Sequence, residues 1–105
     1  MSAGLQVDDL VMDRLGHSVQ RSGHAIGLSP KEFALLEFLM RNASHSVRRS
    51  SIVEQVWRLN VDTMTNVVDV YISYLRRKVD SGYDRHLTRT LRGIGYQIGT
   101  NGYVS

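Results

Sequence analysis

The 105 residues suit a single domain, and a 42% hydrophobic content with no cysteine marks a globular chain without disulfides, thiolate chemistry or cysteine-based zinc sites. No apolar run nears the ~20 residues of a membrane span, and Met1-Ser2-Ala3-Gly4 lacks the basic-then-apolar pattern of a signal peptide, so the cytoplasm is the expected compartment. The net charge of +3 is unevenly spread: residues 45–105 carry nine Lys/Arg against five Asp/Glu, residues 1–44 four against five. A basic C-terminal half suits a polyanionic partner, and equally an ordinary solvated surface.

Residues 5–7, 10–12, 18–21 and 24–28 read as short strands, with Ser22-Gly23 turning the last two into a hairpin. A small antiparallel sheet of this kind needs helices to cover it. Leu28-Ser29-Pro30-Lys31-Glu32-Phe33 then marks a helix start: Ser29 caps, Pro30 takes the first helical position, Glu32 completes a capping box, and Leu28 with Phe33 forms a hydrophobic staple. This helix runs to about Asn42 and is apolar nearly all round, which predicts burial between layers. A second helix is expected over 50–57, with Ser51 and Glu54 as a second capping box. A loop from Arg58 leads to a third helix over 65–79 that stops near Gly82. Residues 87–98 alternate as a hairpin turning around Gly93-Ile94-Gly95.

The third helix is two-faced. At 100° per residue, Val68, Ile72, Leu75 and Val79 fall within about 60° of one another and form a core stripe. The opposite face carries Asn66, Val70, Ser73 and Arg77, flanked by Val67, Tyr74 and Lys78 on one side and Arg76 on the other. An α-helix fits the major groove of B-DNA, where Asn pairs with adenine, Val touches a thymine methyl and Arg bridges guanine or a phosphate. A solvated face with a basic last turn accounts for the same residues. In the hairpin, strand alternation puts Thr88, Thr90 and Arg92 on one face and Leu87, Arg89 and Leu91 on the other. An Arg-tipped hairpin beside a basic helix can reach the adjacent backbone or minor groove, and a purely structural hairpin would look alike.

Four segments in order resemble one family. Leu28-Ser29-Pro30-Lys31-Glu32-Phe33-Ala34-Leu35-Leu36 is similar to its first-helix motif, Val56-Trp57 to the end of its second helix, residues 65–79 to its recognition helix, and Thr90-Leu91-Arg92-Gly93-Ile94-Gly95-Tyr96 to its wing. The family is the OmpR/PhoB-type winged helix-turn-helix effector domain of two-component response regulators, and the match covers about residues 5–99, with 1–4 and 100–105 expected as flexible termini. The resemblance implies an α+β fold with an N-terminal antiparallel sheet, three helices and a C-terminal hairpin wing. It implies binding of double-stranded promoter DNA at tandem repeats as a head-to-tail dimer, without a cofactor. It implies that Arg58, Leu59, Asn60, Val61 and Asp62 lie in a loop facing RNA polymerase. A phosphorylated receiver domain, usual in the family, is absent from this sequence, which is either an excised effector domain or a stand-alone protein. By position, family DNA contacts fall on Trp57, Asn66, Val67, Ser73, Tyr74, Arg76, Thr90, Arg92 and Tyr96; the faces described above add Val70, Arg77 and Arg89. Ser73 and Tyr74 stand where relatives often carry Arg, Arg58 replaces a usual Gly, and Arg48 stands where a Ser usually caps the second helix. Residues 65–70 are most similar to metal-responsive members.

Against an enzyme stands the lack of any metal-ligand spacing or nucleophile–base motif among His17, His24, His45, His86 and the scattered carboxylates. The Gly93-Ile94-Gly95 segment opens no helix and so is no phosphate loop. The alternative to DNA binding is a protein-interaction module that keeps the fold, favoured by the missing arginines at Ser73 and Tyr74 and opposed by Arg76, Arg77, Lys78, Arg89 and Arg92.

Overall fold

The computed structural model describes residues 4–58 and 65–99. It opens with an antiparallel sheet of β1 (Gly4–Val7), β2 (Leu10–Asp13), β3 (Ser18–Arg21) and β4 (His24–Ala25), ordered β1-β2-β3-β4. Alternation turns Val7, Leu10, Met12 and Val19 into the core. Ser22 and Gly23 both have positive φ, 51° and 81°, the turn whose twist matches a two-residue hairpin. The fourth strand is shorter than the alternation over 24–28 suggests. After Ile26 donates to the Val19 carbonyl at 2.9 Å, the chain leaves the sheet for the Ser29 cap.

The helix α1 (Pro30–Arg41) starts where the sequence places it, and for the expected reason. The Glu32 backbone N–H donates to Ser29 Oγ (3.2 Å), and the Ser29 N–H donates back to Glu32 Oε1 (2.8 Å). Phe33, Leu35, Leu36, Leu39 and Met40 are buried, Ala34 and Phe38 pack against the same core, and the helix sits between β1 and the later helices.

The C-terminal half holds an element that the sequence did not announce, β5 (Val47–Arg48), too short for an alternation signal. It leads directly into α2 (Arg49–Ile52), which widens into a π-helical turn at Val53–Trp57. The Ser51–Glu54 capping box therefore does not form: Arg48 occupies the cap position without a side-chain hydrogen bond, and Ser51 already lies inside the helix. The third helix, α3 (Thr65–Leu75), likewise ends in a π-helical turn, Arg76–Asp80. A second sheet follows, with β6 (Thr88–Leu91) and β5 on either side of β7 (Gly95–Ile98). The hairpin turns through Arg92-Gly93-Ile94, so Arg92 belongs to the tip and not to a strand face with Thr88 and Thr90. Gly95 lies within β7, and its reason is close approach: a Cβ there would stand 2.0 Å from the Val47 carbonyl oxygen.

Of the ionic links that tie these parts together, two have a buried partner among the described residues. The Arg21 side chain, 1% exposed, pairs with Asp9 (2.9 Å) and Asp80 (3.2 Å), donates to the carbonyls of Val79 and Arg85, and lies 4.1 Å above the Tyr83 ring. Asp80 also accepts from the backbone N–H groups of Leu87 (2.8 Å) and Thr88 (3.2 Å) and from Thr88 Oγ1 (2.5 Å). The second link is Lys78 on Glu32, 2.7 Å, joining the end of α3 to the start of α1. Burial pushes the Glu32 carboxyl up, but hydrogen bonds from Lys78 and Ser29 and the Lys78 charge outweigh it and hold it below its ordinary value.

Two outcomes are expected. Asp80→Ala strips four donors of their acceptor and leaves the Arg21 charge buried and half-paired, so urea unfolding should show a loss of about 3–5 kcal/mol. Because the folded-state value of Glu32 is depressed, its contribution is present above its ordinary value of 4.5 and is lost as pH falls through the folded value. Glu32→Gln should therefore lower stability at neutral pH and flatten the acid limb of a stability–pH curve; an unchanged limb would remove Glu32 from acid unfolding.

Candidate nucleic-acid interface

The two faces of α3 separate as the periodicity requires. Val68, Ile72, Leu75 and Val79 are at most 1% exposed. Asn66, Ser73 and Arg77 are exposed on the other side, together with Val70 (45%) and Tyr74 (38%). Leaving Val and Tyr in water has no benefit for a monomer's stability, and apolar groups among polar ones suit a surface that contacts a partner. Val67 is half-buried against the core.

Aromatic contacts run along one flank. Trp57, at the end of the second helical segment, meets Tyr71 edge-on at 5.2 Å, and Tyr71 meets Tyr74 at 5.3 Å. Lys31 lies 5.7 Å over Trp57 and donates to the Val56 carbonyl, while the Arg77 guanidinium lies 5.8 Å over Tyr74. The helix thus stands on an aromatic base that orders Tyr74 and Arg77 together.

The wing is fastened to α3 by side chains. Arg76 donates to the hydroxyls of Thr88 (3.3 Å) and Thr90 and lies 5.8 Å over the Tyr96 ring. Tyr96 is 8% exposed, and its hydroxyl donates to Asp69 Oδ1 at 2.5 Å. Burial, then the hydrogen bond to Asp69 and its charge, push that phenol up to about 12. Arg49 of α2 donates to the other oxygen, Asp69 Oδ2, at 3.0 Å. Arg76 and Tyr96 therefore face each other across the joint, whereas Thr90 and Arg92 are exposed and Arg89 is half-buried. Between the wing and the start of α2 lies a cleft of about 660 Å³, walled by Arg48, Arg49, Asp69, Thr90, Arg92 and Tyr96. Sequence reasoning did not select Arg48, Arg49 or Asp69. The adjacent Arg48-Arg49 pair was the available signal, but the joint depends on β5, which has no sequence signature.

Leu59, Asn60, Val61 and Asp62, expected in a polymerase-facing loop, lie outside the described residues. Arg58, the last residue before them, is exposed and left-handed, with φ 56° and ψ 39°.

Residues 23–98 match the family model described as transcriptional regulatory protein, C terminal. The chain belongs to that family. CusR of Escherichia coli K12, a transcriptional regulatory protein, is 44% identical over 93 residues, which cover 89% of this chain and 41% of CusR, so the chain spans less than half of that relative. DrrB of Thermotoga maritima, a response regulator and OmpR/PhoB homologue, superposes with a TM-score of 0.80 at 31% identity, over 92% of this chain and 44% of DrrB. The RstA DNA-binding domain of Klebsiella pneumoniae, solved in complex with the RstA box, superposes with a TM-score of 0.82 at 26% identity, over 93% of this chain and 98% of that domain. The architecture is that of an OmpR/PhoB-type winged-helix effector domain, with β6 and β7 as the wing.

Within this OmpR/PhoB-type domain, the backbone at Arg58 explains why glycine suits the position. A left-handed conformation costs a side-chain-bearing residue ~1–2 kcal/mol, against ~0.5–1 kcal/mol of extra chain entropy lost by glycine. Arg58→Gly should raise the melting temperature by a few degrees; a lower one would mean that the Arg58 side chain contributes more than the strain removes.

Proposed function

We propose that this domain binds double-stranded promoter DNA sequence-specifically, as the effector half of a two-component response regulator acting in the cytoplasm, with α3 in the major groove and the wing on the adjacent backbone or minor groove. The observation that carries this is the mixed exposed face of α3, Asn66, Val70, Ser73, Tyr74 and Arg77, set beside a wing tip bearing Arg92. It is supported by the likeness to RstA, whose DNA-binding domain was solved on its box. Asn66, Val70, Ser73 and Arg77 are the proposed base-reading residues. Trp57, Val67, Tyr74, Arg89, Thr90 and Arg92 are the proposed backbone contacts. For Arg76 and Tyr96 the hydrogen bonds above favour holding the wing over touching DNA. Tandem repeats, a head-to-tail dimer on DNA, RNA polymerase contact through residues 58–62 and a receiver domain elsewhere in the protein complete the proposal, by similarity to the family.

Selection from a random-sequence duplex pool, followed by titration of variants, tests it. Asn66→Ala should lower affinity for the selected site by ~1–3 kcal/mol and relax preference at one base pair. Arg92→Ala should weaken all duplexes and flatten the salt dependence by about one unit of log K against log salt. If no sequence is enriched and Asn66→Ala changes nothing, the interaction-module reading, which Ser73 and Tyr74 favour, replaces this one.

A further inference from the structure

Asp69 lies on α3 yet spends both carboxylate oxygens inside the protein. One accepts from Tyr96 of the wing strand β7, the other from Arg49 of α2. These three residues are the point where the three elements around the cleft meet. As a device for stability the arrangement is poor. The Arg49 and Asp69 side chains are each 43% exposed, where an ion pair contributes little. The same geometry leaves Arg49 Nε without a hydrogen-bond partner among the described residues. As a device for geometry it is well placed. It ties Asp69, the sequence neighbour of Val70, to Tyr96, which pairs with Thr90 one rung from the hairpin turn that carries Arg92.

On the reading that this domain binds DNA, we infer that Asp69, held by Arg49 and Tyr96, is a positioning residue for specificity: it sets the register between α3 and the wing, so that both engage one duplex only when the bases match. The triad touches no base. Its effect is on the difference between matched and unmatched DNA. Charge alone predicts something else. An acidic group in a basic cleft repels every phosphate equally, so neutralising it would strengthen binding to all sequences alike.

The test compares the whole chain with Asp69→Asn and Tyr96→Phe on two duplexes: one enriched by the chain from a random pool, and a scrambled duplex of the same length and base composition. Loss of folded protein lowers affinity for both duplexes by one factor, so the ratio between them is insensitive to stability. Tyr96→Phe, which changes no charge, should lower affinity for the enriched duplex about tenfold and for the scrambled duplex much less. Asp69→Asn should weaken the enriched duplex while strengthening the scrambled one, because Arg49 then lacks its anionic partner. A ratio equal to wild type in both variants, whether the two affinities rise or fall together, overturns the positioning role. A wild-type chain that binds both duplexes alike instead overturns the DNA-binding reading on which the role rests.

Discussion

Asp80 is where the two halves of the molecule are joined. Its carboxylate is buried at the end of α3, accepts from two backbone N–H groups and one hydroxyl at the start of β6, and pairs with an Arg21 that comes from the N-terminal sheet. Neither residue is stable in such surroundings alone. A guanidinium 1% exposed needs its charge and its N–H groups matched, and Asp9, Asp80 and the carbonyls of Val79 and Arg85 supply that. The hydrophobic core sets how closely the layers approach. The ionic centre sets which residues meet, because a shift of one residue would leave a buried charge unpaired.

Further polar links surround that centre. Glu32 and Lys78 tie α3 to the capped start of α1, Arg76 ties it to Thr88 and Thr90, and Asp69 ties it to Tyr96 and Arg49. Each of these three links lands on α3 or on the turn that ends it. The helix is therefore clamped at Asp69 and at the turn that ends it, while Asn66, Val70 and Ser73 stay exposed on its other side. A rigid helix with an unassigned face is what a reader of another surface needs, since little conformational entropy remains to be lost on contact.

Much of this was legible in the sequence because it rests on local chemistry. The Ser29–Glu32 box and the Ser22-Gly23 turn follow from residues within a few positions of each other, and the stripe of Val68, Ile72, Leu75 and Val79 follows from helical period. What was not legible rests on contacts distant in sequence. Strand β5 has two residues and exists because β7 pairs with it; once it forms, it moves the start of α2 to Arg49 and cancels the Ser51–Glu54 box. Tyr96 was named as a DNA contact through the family resemblance, and nothing local in the sequence pointed to its partner within the fold. The structure gives it Asp69, 27 positions earlier, as the acceptor of its hydroxyl.

The contact between Gly95 and the Val47 carbonyl has a genetic consequence. Any other amino acid at position 95 brings at least a Cβ, and that atom would stand 2.0 Å from an oxygen of the backbone, which cannot swing aside as a side chain would. A library of random codons there would return glycine almost alone, although the residue contributes no hydrophobic contact. The variants removed would be those that prise β5 from β7 and unseat the hairpin while leaving α1 and α3 packed. Intolerance at this position would thus report on the wing's seating, separately from the folding of the helices.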